Sequence, residues 1–154
     1  TSEIIVFGIG LNLAAGFGAW AFGFMDDKLG GKPTILVSIV GLVAAATLAV
    51  MTTSVFWFWV SGLGVGLLAG PNQSASRSLL GRFTPPNHEN EFYGFFAFSG
   101  KFTAFLGPFL LGKMTLLFGN MRAGVAVVVI LFIVGGVLLL RVDEKEGIAA
   151  AGRV

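Results

Sequence analysis

The chain has 154 residues, of which 55% are hydrophobic and only 12% are charged. Soluble domains usually carry about 25% charged residues, so this composition predicts an integral membrane protein in contact with a lipid bilayer. The net charge is only +2, and the basic residues lie between apolar blocks and not in a patch, so nothing in the sequence indicates binding to nucleic acid. A sequence with one histidine and no cysteine predicts no metal site and no cofactor.

Five stretches of the sequence are long and apolar enough to cross a membrane, which takes roughly 20 residues in a helix. They are expected at about residues 4–25, 33–51, 55–80, 91–111 and 123–140. The predicted fold class is therefore all-α, a polytopic transmembrane helix bundle. Thr1 is not a methionine and Glu3 stands where a signal peptide carries a basic residue, so we expect the chain to begin inside a larger protein.

The first span carries small residues on one face, and such a face lets transmembrane helices pack closely. They include Gly8, Gly16 and Gly23, with Asn12 on the same face. Asn12 has two interpretations, an interhelical hydrogen bond or contact with a solute. Residues 26–32 are predicted to form a short charged loop after this span.

The third span combines a glycine repeat with a polar segment. Gly62, Gly66 and Gly70 recur every four residues, which predicts close contact with a neighbouring helix. Pro71 is predicted to kink the helix, and Asn72 and Gln73 directly after it are candidates for solute contact. Arg77 follows at the predicted far interface, where it snorkels to water, forms a salt bridge with a loop or takes part in gating.

The fourth span contains Lys101, which lies ten residues, or roughly 15 Å, inside it. A charge near the middle of a membrane is costly, so it either serves a functional site or reaches the interface through its flexible stem. Glu91 stands at the start of this span and is a second candidate for a role at the interface. Residues 113–122 are predicted to form a turn, and the tail from residue 141 to be solvated.

The basic residues are unequally divided between the two sides of the predicted bundle. One side holds Lys28, Lys32, Arg77, Arg82, Arg141, Lys145 and Arg153, and the other holds Lys113 and Arg122. The positive-inside rule then predicts a cytoplasmic C-terminus.

Two motifs resemble the major facilitator superfamily. The first is the loop with Gly23, Asp27, Lys28, Gly30 and Lys32, in which Gly31 replaces one expected basic residue. The second is the stretch 73–108, with its Ser-Arg-Ser, Glu-Phe-Tyr-Gly and Gly-Lys sequences, which resembles the tenth and eleventh helices of the branch related to vacuolar amino-acid effluxers, the unidentified major facilitator family.

The resemblance implies that the five spans correspond to helices eight to twelve of such a transporter. The missing N-terminal half of the same transporter would then be a partner of this chain. The loop motif would latch helix ends on the cytoplasmic side, with Asp27 accepting hydrogen bonds from helix N-termini.

The function predicted in this way is transport of a small-molecule solute by alternating access, with amino-acid efflux as a specific form. Asn12, Asn72, Gln73 and Lys101 are the predicted substrate pathway, and Arg77 and Glu91 the predicted interface or gating residues. The alternative is a membrane scaffold or assembly subunit that does not transport, in which the polar residues only hold helices together. Enzymatic activity is not predicted, because the spans contain no pair of carboxylates and no motif joins serine, histidine and an acid.

Overall fold

The computed structural model describes residues 2–152, apart from the side chains of Ser2 and Ile4. In this range the chain forms helices and no strands. The helices are α1 (Ser2–Leu29), α2 (Gly31–Met51), α3 (Val55–Phe83), α4 (Glu89–Phe118), α5 (Met121–Leu140) and α6 (Glu144–Ala150). Helices α1 to α5 are long and apolar enough to span a membrane, so the predicted all-α transmembrane bundle is confirmed. Two residues on which predictions rest lie outside the described residues. They are Thr1, for the start of the chain, and Arg153, for the distribution of basic residues.

The helices extend beyond the predicted spans, and two predicted loops are wrong. Residues 26–32 are not a loop, because only Gly30 separates α1 from α2, with φ at 95°. Residues 113–122 are likewise almost entirely helical, and the turn consists of Gly119 and Asn120. The physical reason is that the width of the hydrocarbon core limits the apolar run and not the helix, whose backbone hydrogen bonds continue into the polar interface.

Helix α3 lies at the centre of the bundle, between α1 and α2. The predicted close contact of its repeated glycines with a neighbouring helix is confirmed, and that helix is α1: a Cβ atom at Gly66 would come within 2.8 Å of the carbonyl oxygen of Leu11, and one at Gly70 would overlap the backbone of Ala15. The predicted small-residue face of α1 is not the one that packs here. Gly18 contacts the backbone of Leu67, whereas Gly8 and Gly16 have no described atom within 4 Å of a built Cβ.

Helix α5 packs against α2 on one side and α4 on the other, while α4 touches α3 only slightly. None of the described residues of α4 is buried. Pro71 is buried inside α3 and does not end it. A groove is therefore left between α3 and α4.

The two ends of the bundle differ in their chemistry. The Arg82 face is the end at which α1, α3 and α5 end and α2 and α4 begin; the Arg122 face is the opposite end, with residues 52–54, Gly119 and Asn120. A small core of Ile35, Ala75 and Leu79 lies towards the Arg82 face. The expectation of a solvated tail is wrong there, because α6 packs against α3 and Ala151 is only 5% exposed.

Candidate functional site

Two cavities of about 520 Å³ each lie side by side between α3 and α4. Together they form what we call the α3–α4 groove. The first is lined by Asn72, Gln73, Ser76, Arg77, Phe96, Ser99, Gly100, Thr103 and Ala104, and the second by Arg77, Tyr93, Phe96, Ala97, Gly100, Lys101 and Ala104. Three predicted pathway residues and one predicted gating residue therefore come together in this groove.

Helical spacing explains why these residues share the groove. Residues four positions apart lie on the same face of a helix, which places Asn72 beside Ser76 and Gln73 beside Arg77 on α3. On α4, Ala97, Gly100 and Ala104 are small. Their side chains leave open the volume that larger residues would fill.

Four neutral polar groups of the groove are held by bonds within the protein. The amide nitrogen of Asn72 donates to Ser38 Oγ at 2.9 Å, which joins α3 to α2. The hydroxyls of Ser76, Ser99 and Thr103 donate to carbonyls one turn back in their own helices, at 2.7 to 2.9 Å. Each hydroxyl oxygen therefore keeps lone pairs that can accept a hydrogen bond from a solute.

Gln73, Arg77 and Lys101 differ from these groups. All three are exposed. No side-chain hydrogen bond or ion pair joins any of them to another residue in the part of the chain that the structure describes. With Tyr93, which is 42% exposed, they are the side chains of the groove that can contact a ligand without losing a partner within the described residues.

Two predicted residues lie outside the groove. The Asn12 amide donates to the Gly8 carbonyl of its own helix at 2.8 Å, and Asn12 is not among the residues that line the groove. Glu91 lines a neighbouring cavity of about 400 Å³ with Leu80 and Ser99, and its carboxylate lies 3.2 Å from His88 Nδ1.

A cluster of charges joins four helices at the Arg82 face. Arg82 lies 3.3 Å from Asp26 Oδ1 and 3.3 Å from Glu144 Oε1, and these acidic side chains are only 13% and 16% exposed. Glu144 also accepts from the backbone N–H groups of Gly31 and Lys32, at 3.1 and 3.2 Å. A carboxylate in this place is favourable, because the N-terminus of α2 presents free N–H groups and a partial positive charge.

Lys32 ties the last membrane-spanning helix to this cluster. Its ammonium group donates to the carbonyl oxygens of Leu140 at 3.1 Å and Val142 at 2.6 Å. The end of α5 is thereby fixed beside the start of α2.

Contacts of the kind predicted for Asp27 are made by two other residues in the part of the chain that the structure describes. Asp26 forms the ion pair and Glu144 accepts from the helix N-terminus, while Asp27 is exposed. Because α1 stays helical through Leu29, neighbouring positions 26 and 27 point about 100° apart, and the first of them faces Arg82. Of the other motif residues, Gly30 makes the positive-φ link, Lys32 binds α5, Gly23 has no described neighbour within 4 Å of a built Cβ, and Lys28 is exposed.

Helix α6, which carries Glu144, begins with a side-chain cap. Asp143 Oδ1 accepts from the backbone N–H groups of Lys145 at 2.9 Å and Glu146 at 3.1 Å. These two hydrogen bonds hold the pKa of the Asp143 carboxyl below its usual value of 3.8, and the bond from Glu146 has the larger effect.

Comparison with known proteins places the chain in a family. The sequence profile described as vacuole effluxer Atg22 like matches residues 1–152. The chain belongs to the Atg22-like family. No solved structure matches it significantly.

Several relatives of this Atg22-like chain have been named. The uncharacterized MFS-type transporter YxiO of Bacillus subtilis (strain 168) is 32% identical over 124 residues, which cover 80% of this chain and 29% of the relative. Autophagy-related protein 22 of Cryptococcus neoformans var. neoformans serotype D is 34% identical over 122 residues, or 72% of this chain and 22% of that protein. Autophagy-related protein 22-1 of Penicillium rubens is 27% identical over 149 residues, which cover 88% of this chain and 25% of that protein.

The resemblance to the major facilitator superfamily and its effluxer branch is thus confirmed, and the Atg22-like chain is an integral, multi-pass membrane protein. It spans less than a third of the length of these curated relatives.

Sequence reasoning missed the partners on α4 and α6. Ser99 and Thr103 lie four residues apart next to Lys101, and that spacing could have placed them on one face. Asp143 followed three residues later by Glu146 is a capping pattern that could have identified the start of α6. The pairing of Glu144 with α2 had no local signal, because the partners are more than 100 residues apart in sequence.

Proposed function

We propose that the protein containing this chain transports a small solute across a membrane by alternating access, and that the solute passes along the α3–α4 groove. The observation that carries the proposal is that exposed polar side chains without a partner among the described residues, including Gln73, Arg77 and Lys101, line a groove between two membrane-spanning helices. A charged side chain within a membrane span is costly, and such residues typically mark solute or ion pathways.

The rest of the pathway belongs, in this proposal, to the part of the protein outside this chain. We place the five spans as helices eight to twelve, facing an N-terminal half across the groove. In transporters of this kind the solute lies near the middle of the bilayer between two repeats, which rock against each other. The exposed face of α4 and the glycine face of α1 would then be covered by the N-terminal half and by lipid.

The charge cluster at the Arg82 face supports a gating role in this mechanism. It ties the ends of α1, α2, α3 and α5 together, so the helix ends at the Arg82 face would move as one body. By the positive-inside rule we place the Arg82 face, and with it the C-terminus, in the cytoplasm.

For the substrate, we propose an amino acid moved by efflux. The support is the family description, which names a vacuole effluxer, and the earlier resemblance to amino-acid effluxers. An amino acid is also small enough for the groove and carries a carboxylate that suits its basic side chains.

The test is a transport assay on the complete protein, which is purified and reconstituted in liposomes. The liposomes are loaded with a panel of amino acids. We expect exchange of at least one radiolabelled amino acid above protein-free liposomes. Lys101→Met should abolish this exchange without changing the gel-filtration profile. Lys113→Met is the matched control, because Lys113 lies on the same helix but outside the groove, 5.9 Å above the ring of Phe109.

Two outcomes would contradict the proposal. Exchange by Lys101→Met at the wild-type rate would remove Lys101 from the pathway. A complete protein that exchanges no solute but co-purifies with a fixed membrane partner would instead favour the scaffold.

A further inference from the structure

The charges of the α3–α4 groove all have one sign. Arg77 and Lys101 line the same cavity. No aspartate or glutamate is among the described residues that line either of the two cavities. This wall of the groove is therefore cationic and lacks an internal counter-ion.

Elsewhere in the bundle, two basic side chains that lie between helices have partners within the described residues. Arg82 has Asp26 and Glu144. Lys32 has two backbone carbonyls. The pair in the groove is different, since neither Arg77 nor Lys101 has such a partner among the described residues. Two like charges in a low-dielectric setting repel each other, and a bound anion removes that repulsion.

The chemistry of the two cations selects an oxyanion. An arginine guanidinium presents parallel N–H groups that match the two oxygens of a carboxylate or a phosphate. Lysine adds a mobile point charge from the facing helix. Gln73, Ser99 and Thr103 supply neutral polar groups for the remainder of a ligand, and the small residues of α4 provide the space.

From these observations we infer that the α3–α4 groove binds the carboxylate or phosphate group of the solute, with Arg77 as the bidentate contact and Lys101 as the second charge. The inference rests on the proposed function only in assuming that the bound anion is the transported solute. In this view, the α3–α4 groove contacts the anionic end of the solute. Compounds that lack an oxyanion should therefore bind poorly.

Direct binding tests the site without requiring transport. Titration calorimetry on the complete protein in detergent would use succinate, inorganic phosphate, leucine and leucinamide, the last of which lacks a carboxylate. We expect at least one oxyanion to bind wild type and leucinamide to bind at least about tenfold more weakly than leucine. Arg77→Gln and Lys101→Gln should each weaken oxyanion binding by about tenfold or more, the size expected for a lost charged hydrogen bond. The relative affinity for succinate and phosphate distinguishes the two anion chemistries.

Two further variants separate charge from geometry and from unspecific effects. Arg77→Lys should bind more tightly than Arg77→Gln and more weakly than wild type, because it keeps the charge and loses the fork. Lys113→Gln removes a lysine of α4 outside the groove and should bind like wild type. Circular dichroism and gel filtration would show that each variant is folded.

The inference is overturned if wild type binds none of the oxyanions, if Arg77→Gln and Lys101→Gln bind them as wild type does, or if Lys113→Gln loses binding to the same degree. Failure of the proposed function looks different. Oxyanion binding that depends on Arg77, in a protein that exchanges no solute, would contradict transport and leave the anion site standing. Exchange of an uncharged solute at the wild-type rate in Arg77→Gln and Lys101→Gln would support transport and contradict the anion site.

Discussion

Among single residues, Glu144 makes three long-range polar contacts in the described chain, to two backbone N–H groups of α2 and to Arg82. Glu144→Gln removes the charge that these donors require and keeps the side-chain size. Charged hydrogen bonds contribute about 1.5–3 kcal/mol each, and glutamine retains one acceptor. We therefore expect the free energy of unfolding to fall by about 1.5–3 kcal/mol, measured by denaturation of the complete protein in detergent.

Glu146 provides the matched control for this substitution. It lies on the same short helix and is exposed; its backbone N–H donates to Asp143, while its side chain makes no hydrogen bond or ion pair within the described residues. Glu146→Gln should leave the unfolding free energy within about 0.5 kcal/mol of wild type. Equal stability of the two variants would mean that the Glu144 contacts do not form in the folded protein.

Between helices, the closest packing is that of α1 against α3, where backbone meets backbone. Gly70→Ala places a methyl group against the backbone of Ala15, and Gly66→Ala places one 2.8 Å from the Leu11 carbonyl oxygen. Backbone cannot rotate away as a side chain can, so the helices must separate. Each substitution should cost about 1–3 kcal/mol of unfolding free energy, the usual range for overpacking.

Gly64 on the same helix serves as the control for this experiment. A Cβ atom there would lie 3.5 Å from that of Ala45, an ordinary contact. Gly64→Ala should therefore leave stability unchanged or raise it slightly, because alanine favours a helix over glycine. Loss of stability in Gly64→Ala as large as in Gly70→Ala would show that helix composition, and not the contact with α1, sets the effect.

How much the sequence could predict also differs from element to element. The five apolar runs and the glycine repeat of α3 carry local signals, so the spans and the close packing of this helix were predictable. The packing face of α1 was not, because Gly8 and Gly18 lie on different faces of a helix that has small residues on both. Helix α6 has only seven residues, and its position depends on distant partners.

Some residues of the groove were predictable from the sequence, but their arrangement was not. Polar residues within an apolar helix are conspicuous, which identified Gln73 and Lys101 individually. Their meeting in one groove depends on how α3 and α4 rotate about their axes, and the sequence of one helix does not specify that rotation.

For the whole molecule, the two faces predict an orientation in the membrane. Lys28, Lys32, Arg82, Arg141 and Lys145 lie towards the Arg82 face, and Lys113 and Arg122 towards the other. Arg122 bonds there to the Thr52 carbonyl at 3.2 Å. Because basic residues are retained on the cytoplasmic side of short loops, the Arg82 face should be cytoplasmic.

Single cysteines can test this orientation, since the chain itself contains none. Thr53→Cys would report the Arg122 face and Glu146→Cys the Arg82 face, both exposed positions, in a complete protein with any other cysteines replaced. In sealed right-side-out vesicles, an impermeant maleimide should label Thr53→Cys at once and Glu146→Cys only after permeabilisation. The reverse pattern would place the charge cluster outside the cytoplasm, and a gate at that end would then close the pathway from the opposite side.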